Sequence, residues 1–167
     1  MFGMSKKLRY LATVAGVGVS AMALAVSSAP AASAASGWGI ANVDSGKCMD
    51  ASWSHTDGTA VVQWGCYGGN TQLWYTVWKG TGYEFVNVDS GKCLDASWSH
   101  ADGTAVVQWA CYGGNTQLWN TVSKPGGWEM VNVDSGRCLD ASWSHTDGTN
   151  LVQWACYGGN TQLWHSV

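Results

Sequence analysis

The stretch Cys48-Met-Asp-Ala-Ser-Trp-Ser-His-Thr-Asp-Gly-Thr-Ala-Val-Val-Gln-Trp-Gly-Cys-Tyr-Gly-Gly-Asn-Thr-Gln-Leu-Trp74 decides the fold, because the 167-residue chain writes it three times. It returns as Cys93 to Trp119 and as Cys138 to Trp164, each copy 45 residues after the last. Over Asn42 to Trp74 the second copy differs from the first at three positions (Met49/Leu94, Thr56/Ala101, Gly65/Ala110). The third differs from the second at four (Lys92/Arg137, Ala101/Thr146, Ala105/Asn150, Val106/Leu151). Self-similarity at a fixed period sets the architecture before any local reading.

Working outward, each copy reads as short strands separated by turn residues. In the first, Ser36 to Val43 is an opening strand and Asp44-Ser-Gly46 a tight turn, with Gly supplying positive φ. Lys47 to Ala51, Ala60 to Trp64 and Gln72 to Val77 complete a set of four. Between them lie the polar loop Ser52 to Gly58 and the turn Gly68-Gly-Asn70. No segment after residue 35 has helical period. Three repeats, 37–81, 82–126 and 127–167, with about four strands each predict an all-β domain of about twelve strands. So many strands leave exposed edges unless the sheet closes, and threefold repetition favours a threefold-symmetric barrel. A propeller fits the period, but three blades fall below the usual number.

Residues 1–34 read as a secretory signal peptide. Lys6, Lys7 and Arg9 precede an apolar run from Leu11 to Val26, and Ala32-Ser-Ala34 is a small-residue cleavage site. The run is short for a membrane span. The expected mature product, residues 35–167, is one domain, exported and without membrane insertion. It keeps five basic and eleven acidic residues, a net charge of −6, which argues against nucleic acid and anionic lipid.

All twelve Trp lie beyond residue 35, more than a plain core needs. Cys48, Cys66, Cys93, Cys111, Cys138 and Cys156 form an even set, 18 apart within each copy. In an exported chain that reads as disulfides. Six cysteines allow fifteen pairings, and the repetition favours Cys48–Cys66, Cys93–Cys111 and Cys138–Cys156. Each such loop contributes roughly 3 kcal/mol on the chain-entropy model. Zinc wants close Cys pairs, which are missing, and one His and one Asp per loop (His55 with Asp57 in the first) are too few ligands. No metal and no cofactor are expected.

Gln72-Leu-Trp74, Gln117-Leu-Trp119 and Gln162-Leu-Trp164 close the repeats, each preceded by Cys-Met/Leu-Asp and a second Cys. This pattern resembles the ricin-B-type lectins and carbohydrate-binding modules over the whole of residues 35–167. The resemblance implies a β-trefoil with one potential sugar site per repeat. It implies that Asp50, Asp95 and Asp140 accept hydrogen bonds from sugar hydroxyls, and that Trp64, Trp109 and Trp154 stack on the ring. It implies that Gln72, Gln117 and Gln162 orient the acids. The physical demand agrees: a sugar offers a C–H face and a rim of hydroxyls, so a site needs an aromatic plane and a fixed carboxylate.

Tyr67, Tyr112 and Tyr157 are candidate pocket walls, and Trp74, Trp119 and Trp164 are candidate core. Two positions depart from the family pattern. Thr71, Thr116 and Thr161 stand where Asn is usual, with Asn70, Asn115 and Asn160 one residue earlier as candidate amides. Val62, Val107 and Val152 stand where a polar residue is usual, beside Gln63, Gln108 and Gln153. His55, His100 and His145 sit with Trp53, Trp98 and Trp143 in a loop expected to overhang the pocket. The resulting expectation is a secreted, non-catalytic, monomeric lectin for glycans or polysaccharides. A protein-binding or inhibitory β-trefoil is the alternative. Enzyme action would need paired carboxylates across one cleft, and only Asp50 and Asp57 are candidates within a copy.

Overall fold

The structure, a computed structural model, describes residues 36–167, so the expected signal peptide lies outside the described residues. Each copy contributes five strands. In the first these are β1 (Trp38–Asn42), β2 (Cys48–Asp50), β3 (Thr59–Ala60), β4 (Val62–Trp64) and β5 (Leu73–Trp78). The second supplies β6 (Tyr83–Asn87), β7 (Cys93–Asp95), β8 (Thr104–Ala105), β9 (Val107–Trp109) and β10 (Trp119–Lys124). The third supplies β11 (Gly127–Asn132), β12 (Cys138–Asp140), β13 (Thr149–Asn150), β14 (Val152–Trp154) and β15 (Trp164–Ser166). No α-helix occurs among the described residues. Single 3₁₀ turns at Asn70–Gln72, Asn115–Gln117 and Asn160–Gln162 precede the last strand of each copy.

The first and last strands of the copies close a six-stranded antiparallel barrel. β5 pairs with β6 and β10 with β11 as hairpins across the copy junctions, and β1 pairs with β15, the first described strand with the last. Pairings of β1 with β5, β6 with β10 and β11 with β15 complete the ring. The remaining strands build a cap. β2 pairs with β4, β7 with β9 and β12 with β14, while β3, β8 and β13 each pair with a neighbouring copy. This is a β-trefoil.

The count of fifteen strands corrects the expected twelve. The predicted strand Ala60 to Trp64 breaks at Val61 because its two halves pair in different directions, β3 with β9 and β4 with β2 and β13. At the break, Val61 N–H donates to Val106, Val106 to Leu151, and Leu151 back to Val61, each at 2.9 Å. This closed triangle of backbone bonds on the pseudo-threefold axis satisfies groups that an unbroken strand would pair locally.

The core follows the same symmetry. Its fifteen buried residues are five equivalent triplets: Trp74/Trp119/Trp164, Ile40/Phe85/Met130, Met49/Leu94/Leu139, Ala51/Ala96/Ala141 and Val61/Val106/Leu151. The core assignment of the three QxW tryptophans therefore holds. Each indole N–H is satisfied by the carbonyl of Met49, Leu94 or Leu139. The three disulfides form as the repetition favoured.

Candidate functional site

Strand alternation sets the pocket. On β4, Gln63 is fully buried, while Val62 and Trp64 point to the other face, where Trp64 is 45% exposed. Trp109 and Trp154 are each 43% exposed. The departure at Val62 is thereby explained. Gln63 faces inward, and its amide nitrogen, Nε2, donates to the Ala141 carbonyl of the third copy at 2.8 Å. Gln108 and Gln153 reach the carbonyls of Ser54 and Ser99 in the same way. These side chains hold copy to copy, and valine is left to line the pocket.

Asp50, at the end of β2, forms the floor and is 3% exposed. Its Oδ1 accepts the Ser52 N–H at 2.8 Å, and its Oδ2 accepts the Tyr67 hydroxyl at 3.0 Å. Thr71 Oγ1 lies 2.6 Å from that hydroxyl, so the threonine donates to tyrosine as tyrosine donates to the acid. The same chain recurs at Tyr112–Asp95 and Tyr157–Asp140. Burial pushes the Tyr67, Tyr112 and Tyr157 phenols above their ordinary range; the adjacent aspartate charge adds to this, and the threonine bond opposes it. The phenol therefore keeps the proton it gives to the acid.

Ser52 adopts a left-handed backbone, φ 63°, as do Ser97 and Ser142. This uncommon geometry for a residue with a Cβ turns the next side chain back over the site. Trp53, 78% exposed, stacks against Tyr67 with centroids 6.4 Å apart and planes at 18°. Trp98–Tyr112 and Trp143–Tyr157 repeat the pair. Tyr67 in turn lies over Gly69, where a Cβ would come within 2.3 Å of the ring, so that glycine is required by close approach.

Neighbouring copies complete each pocket. Gly148 of the third copy lines the first pocket, where a Cβ would sit 3.6 Å from the Trp64 ring, and Gly58 lines the second against Trp109. The loop of residues 52–58 is tied to the second copy by Gln108, which bonds the Ser54 carbonyl and the Gly58 N–H, and by two of its own side chains. Asp57 accepts from Lys92 and from Ala110 N–H, and His55 pairs with Asp89 at 2.6 Å. The lysine bond holds the Asp57 carboxyl below its ordinary range, and Lys47 does the same to Asp147. The histidines thus pin loops to the next copy. Their equivalents pair with Asp134 and Asp44.

Of the residues expected at the site, the structure brings Asp50, Trp64 and Tyr67 together in the first copy, Asp95, Trp109 and Tyr112 in the second, and Asp140, Trp154 and Tyr157 in the third. Gln72 stands behind the pocket, not against the acid. Its Oε1 accepts Tyr67 N–H at 2.9 Å and its Nε2 donates to Gly65 O at 3.0 Å. The expected role of orienting Asp50 is corrected: Ser52 and Tyr67 do that, and Gln72, like Gln117 and Gln162, fixes the turn carrying the tyrosine. Asn70, Asn115 and Asn160 are solvent-exposed and outside the lining, because the residue opening the 3₁₀ turn points away and Thr71, Thr116 or Thr161 takes the inward place. The expected site residues did not include Ser52 and Val62, and held Trp53, Trp98 and Trp143 only as part of a loop overhanging the pocket. The Ser-Trp-Ser-His loop was the available signal for the tryptophans.

The three pockets have volumes of about 420, 260 and 300 Å³. Each sets one carboxylate and one phenol among three aromatic faces. As a metal centre, Glu84 with Cys93 and Cys111 is the one close grouping of possible ligands among the described residues, but both sulfurs are in a disulfide and lack thiolate character.

A closed threefold barrel carrying an acid-and-aromatic pocket in every repeat defines a carbohydrate-binding domain of the β-trefoil class. The chain belongs to the ricin-type β-trefoil lectin domain family, whose model matches residues 38–164. Among solved structures it is similar to the designed threefold-symmetric protein ThreeFoil, at 36% identity and TM-score 0.74, covering 78% of this chain and 96% of that one. It is also similar to an exo-β-1,3-galactanase from Clostridium thermocellum, at 33% identity and TM-score 0.75. That match covers 80% of this chain but 30% of the enzyme. The ricin B-like lectin of Macrolepiota procera, solved with lactose, shares the fold at 23% identity and TM-score 0.69, over 80% of this chain and 96% of that one. No curated protein sequence matches significantly.

Proposed function

We propose that residues 35–167 form a secreted, non-catalytic lectin in which each lateral pocket takes one sugar ring, residues 1–34 being the export signal. The observation that carries this reading is the convergence of Asp50, Tyr67, Trp64 and Trp53, repeated twice more around the barrel. The ring's C–H face rests on Trp64, and its hydroxyls meet the remaining lone pairs of Asp50 and the Tyr67 oxygen. Trp53 supplies the facing wall. The three disulfides are compatible with an extracellular setting.

A single shallow site of this kind binds at about 1 mM, or about −4 kcal/mol. Three on one rigid body gain roughly 10² to 10⁴ in avidity when the target spaces its sugars to match. The test is a glycan array with the wild type and with D50N/D95N/D140N, which keeps the carboxyl's shape and removes its charge. Competable glycan binding is expected for the wild type, and loss of its multivalent part in the triple variant. Undiminished binding in a folded triple variant overturns the site assignment.

A further inference from the structure

The lateral pockets leave one end of the barrel unused. There all three copies line an open basin of about 790 Å³, nearly twice the largest lateral pocket at about 420 Å³. Its walls are two sets of equivalent residues 45 apart: the aromatics Trp38, Tyr83 and Trp128, and the hydroxyls Thr76, Thr121 and Ser166. Neither these three hydroxyls nor that of Ser123 makes a hydrogen bond to another described residue. In the lateral pockets, by contrast, Ser52, Tyr67 and Thr71 hydroxyls are all committed. No acidic or basic side chain lines the basin.

This chemistry selects a ligand. A cation finds no carboxylate and an anion no base. A wholly apolar ligand strands the free hydroxyls without partners, which costs when they are covered. A neutral saccharide suits both sets: its C–H faces pack on the rings, and its hydroxyls exchange bonds with groups that both donate and accept. The rim breaks the symmetry. Trp78, 56% exposed, leans on Tyr83 with centroids 4.8 Å apart, where the second copy has Ser123. One wall is therefore extended outward, and a second sugar ring in line with the first would lie on Trp78. We propose that the barrel end is a fourth saccharide site, one per molecule, for a neutral oligosaccharide of two or more rings.

The probes are lactose, cellotetraose and xylotetraose, titrated by calorimetry and followed by the indole N–H resonances in ¹H–¹⁵N spectra. In D50N/D95N/D140N, one equivalent of binding to at least one probe is expected to survive and to shift the indole signals of Trp38, Trp78 and Trp128. Adding Trp78→Ala, at an exposed position, or Thr121→Val, which keeps the shape, should weaken that residual binding by about tenfold. The proposal is overturned if the folded triple variant binds none of the probes, or if Trp78→Ala and Thr121→Val both leave binding unchanged. If the triple variant keeps every equivalent of the wild type and Trp78→Ala still weakens one of them about tenfold, the lateral assignment fails and the basin stands, so failure here and failure of the lateral assignment are distinguishable.

Discussion

The barrel interior and the belt of pockets around it obey one symmetry by different means. Inside, the layer Ile40/Phe85/Met130 holds three different side chains at equivalent positions, and Val61/Val106/Leu151 holds two. Apolar packing needs a volume filled and permits several ways of filling it. In the belt, Asp, Ser, Trp and Tyr recur unchanged, and copies are joined by directed bonds from Gln63, Gln108 and Gln153 and by Lys47–Asp147 and Lys92–Asp57. A directed bond fails when one atom is moved or removed. The barrel should therefore govern global stability and the belt the shape of the sites.

The sharpest way to break that division is to empty the barrel. Trp119→Ala removes a fully buried indole and its bond to Leu94 O, and should cost about 3–5 kcal/mol. Denaturant unfolding reads it; a loss under 1 kcal/mol would mean that the belt carries the fold. Next comes a belt link. Gln108→Ala leaves the carbonyls of Ala51 and Ser54 in the first copy without their partner, at a cost of about 1–3 kcal/mol. Hydrogen exchange should rise around residues 51–58 and 108–112 while the barrel strands stay protected. A uniform rise over the whole domain would refute the separation.

A milder change sharpens the comparison. Tyr112→Phe keeps the stack on Trp98 but removes the hydroxyl that bonds Asp95 and Thr116, with an expected stability loss of about 1 kcal/mol. If the second pocket binds sugar as proposed, calorimetry should show that site weakened and the other two intact. The three phenols also add alkaline sensitivity. A folded value raised above the ordinary one stabilises the protein below about pH 10, and that contribution is lost as pH rises through the raised value. Three Tyr→Phe substitutions should flatten the alkaline limb of a stability profile.

How much of this was legible in the sequence follows from where each residue's partners lie. The closed barrel and the disulfides were readable because the 45-residue period puts equivalent residues in register, and the Asp–Trp pair through the resemblance to the ricin-B-type lectins, with the tyrosines as candidate walls beside it. The break at Val61 was not, since its cause is a hydrogen bond to Val106 and the axis where three copies meet. The overhang of the Trp53 loop was legible, but the stacking of its ring on Tyr67 was not, since it follows from a left-handed Ser52, a conformation serine seldom adopts. Asn42 reads as an ordinary strand residue, and it does end β1, but its side chain does more than the strand requires. That side chain is buried, accepting from Asp44 and Ser45 N–H and donating to Thr161 and Leu163 carbonyls, so it fastens the first hairpin turn to the third copy. Local patterns reveal what a strand or turn requires, whereas partners more than a hundred residues away leave no local trace.

The smallest expected effect concerns an exposed belt link. Asp57 joins Lys92 and the Ala110 N–H, and Gly58 beside it supports the Trp109 ring of the second pocket. Because Lys92 lowers the folded value of this carboxyl, its contribution is present above the ordinary aspartate range and disappears as pH falls through the lowered value. Acid should loosen residues 52–58 before it unfolds the barrel, and the Trp53 and Trp109 indole signals should broaden or move first. Asp57→Asn should shift those signals at neutral pH and abolish their acid step in the first loop, while the Asp147–Lys47 link keeps its own step in the third. High salt should imitate the substitution, because an exposed pair is screened. If the wild-type acid step persisted unchanged in Asp57→Asn, the loop would be held by its remaining ties, His55 to Asp89 and Gln108 to Ser54 and Gly58, and the lysine link would be incidental.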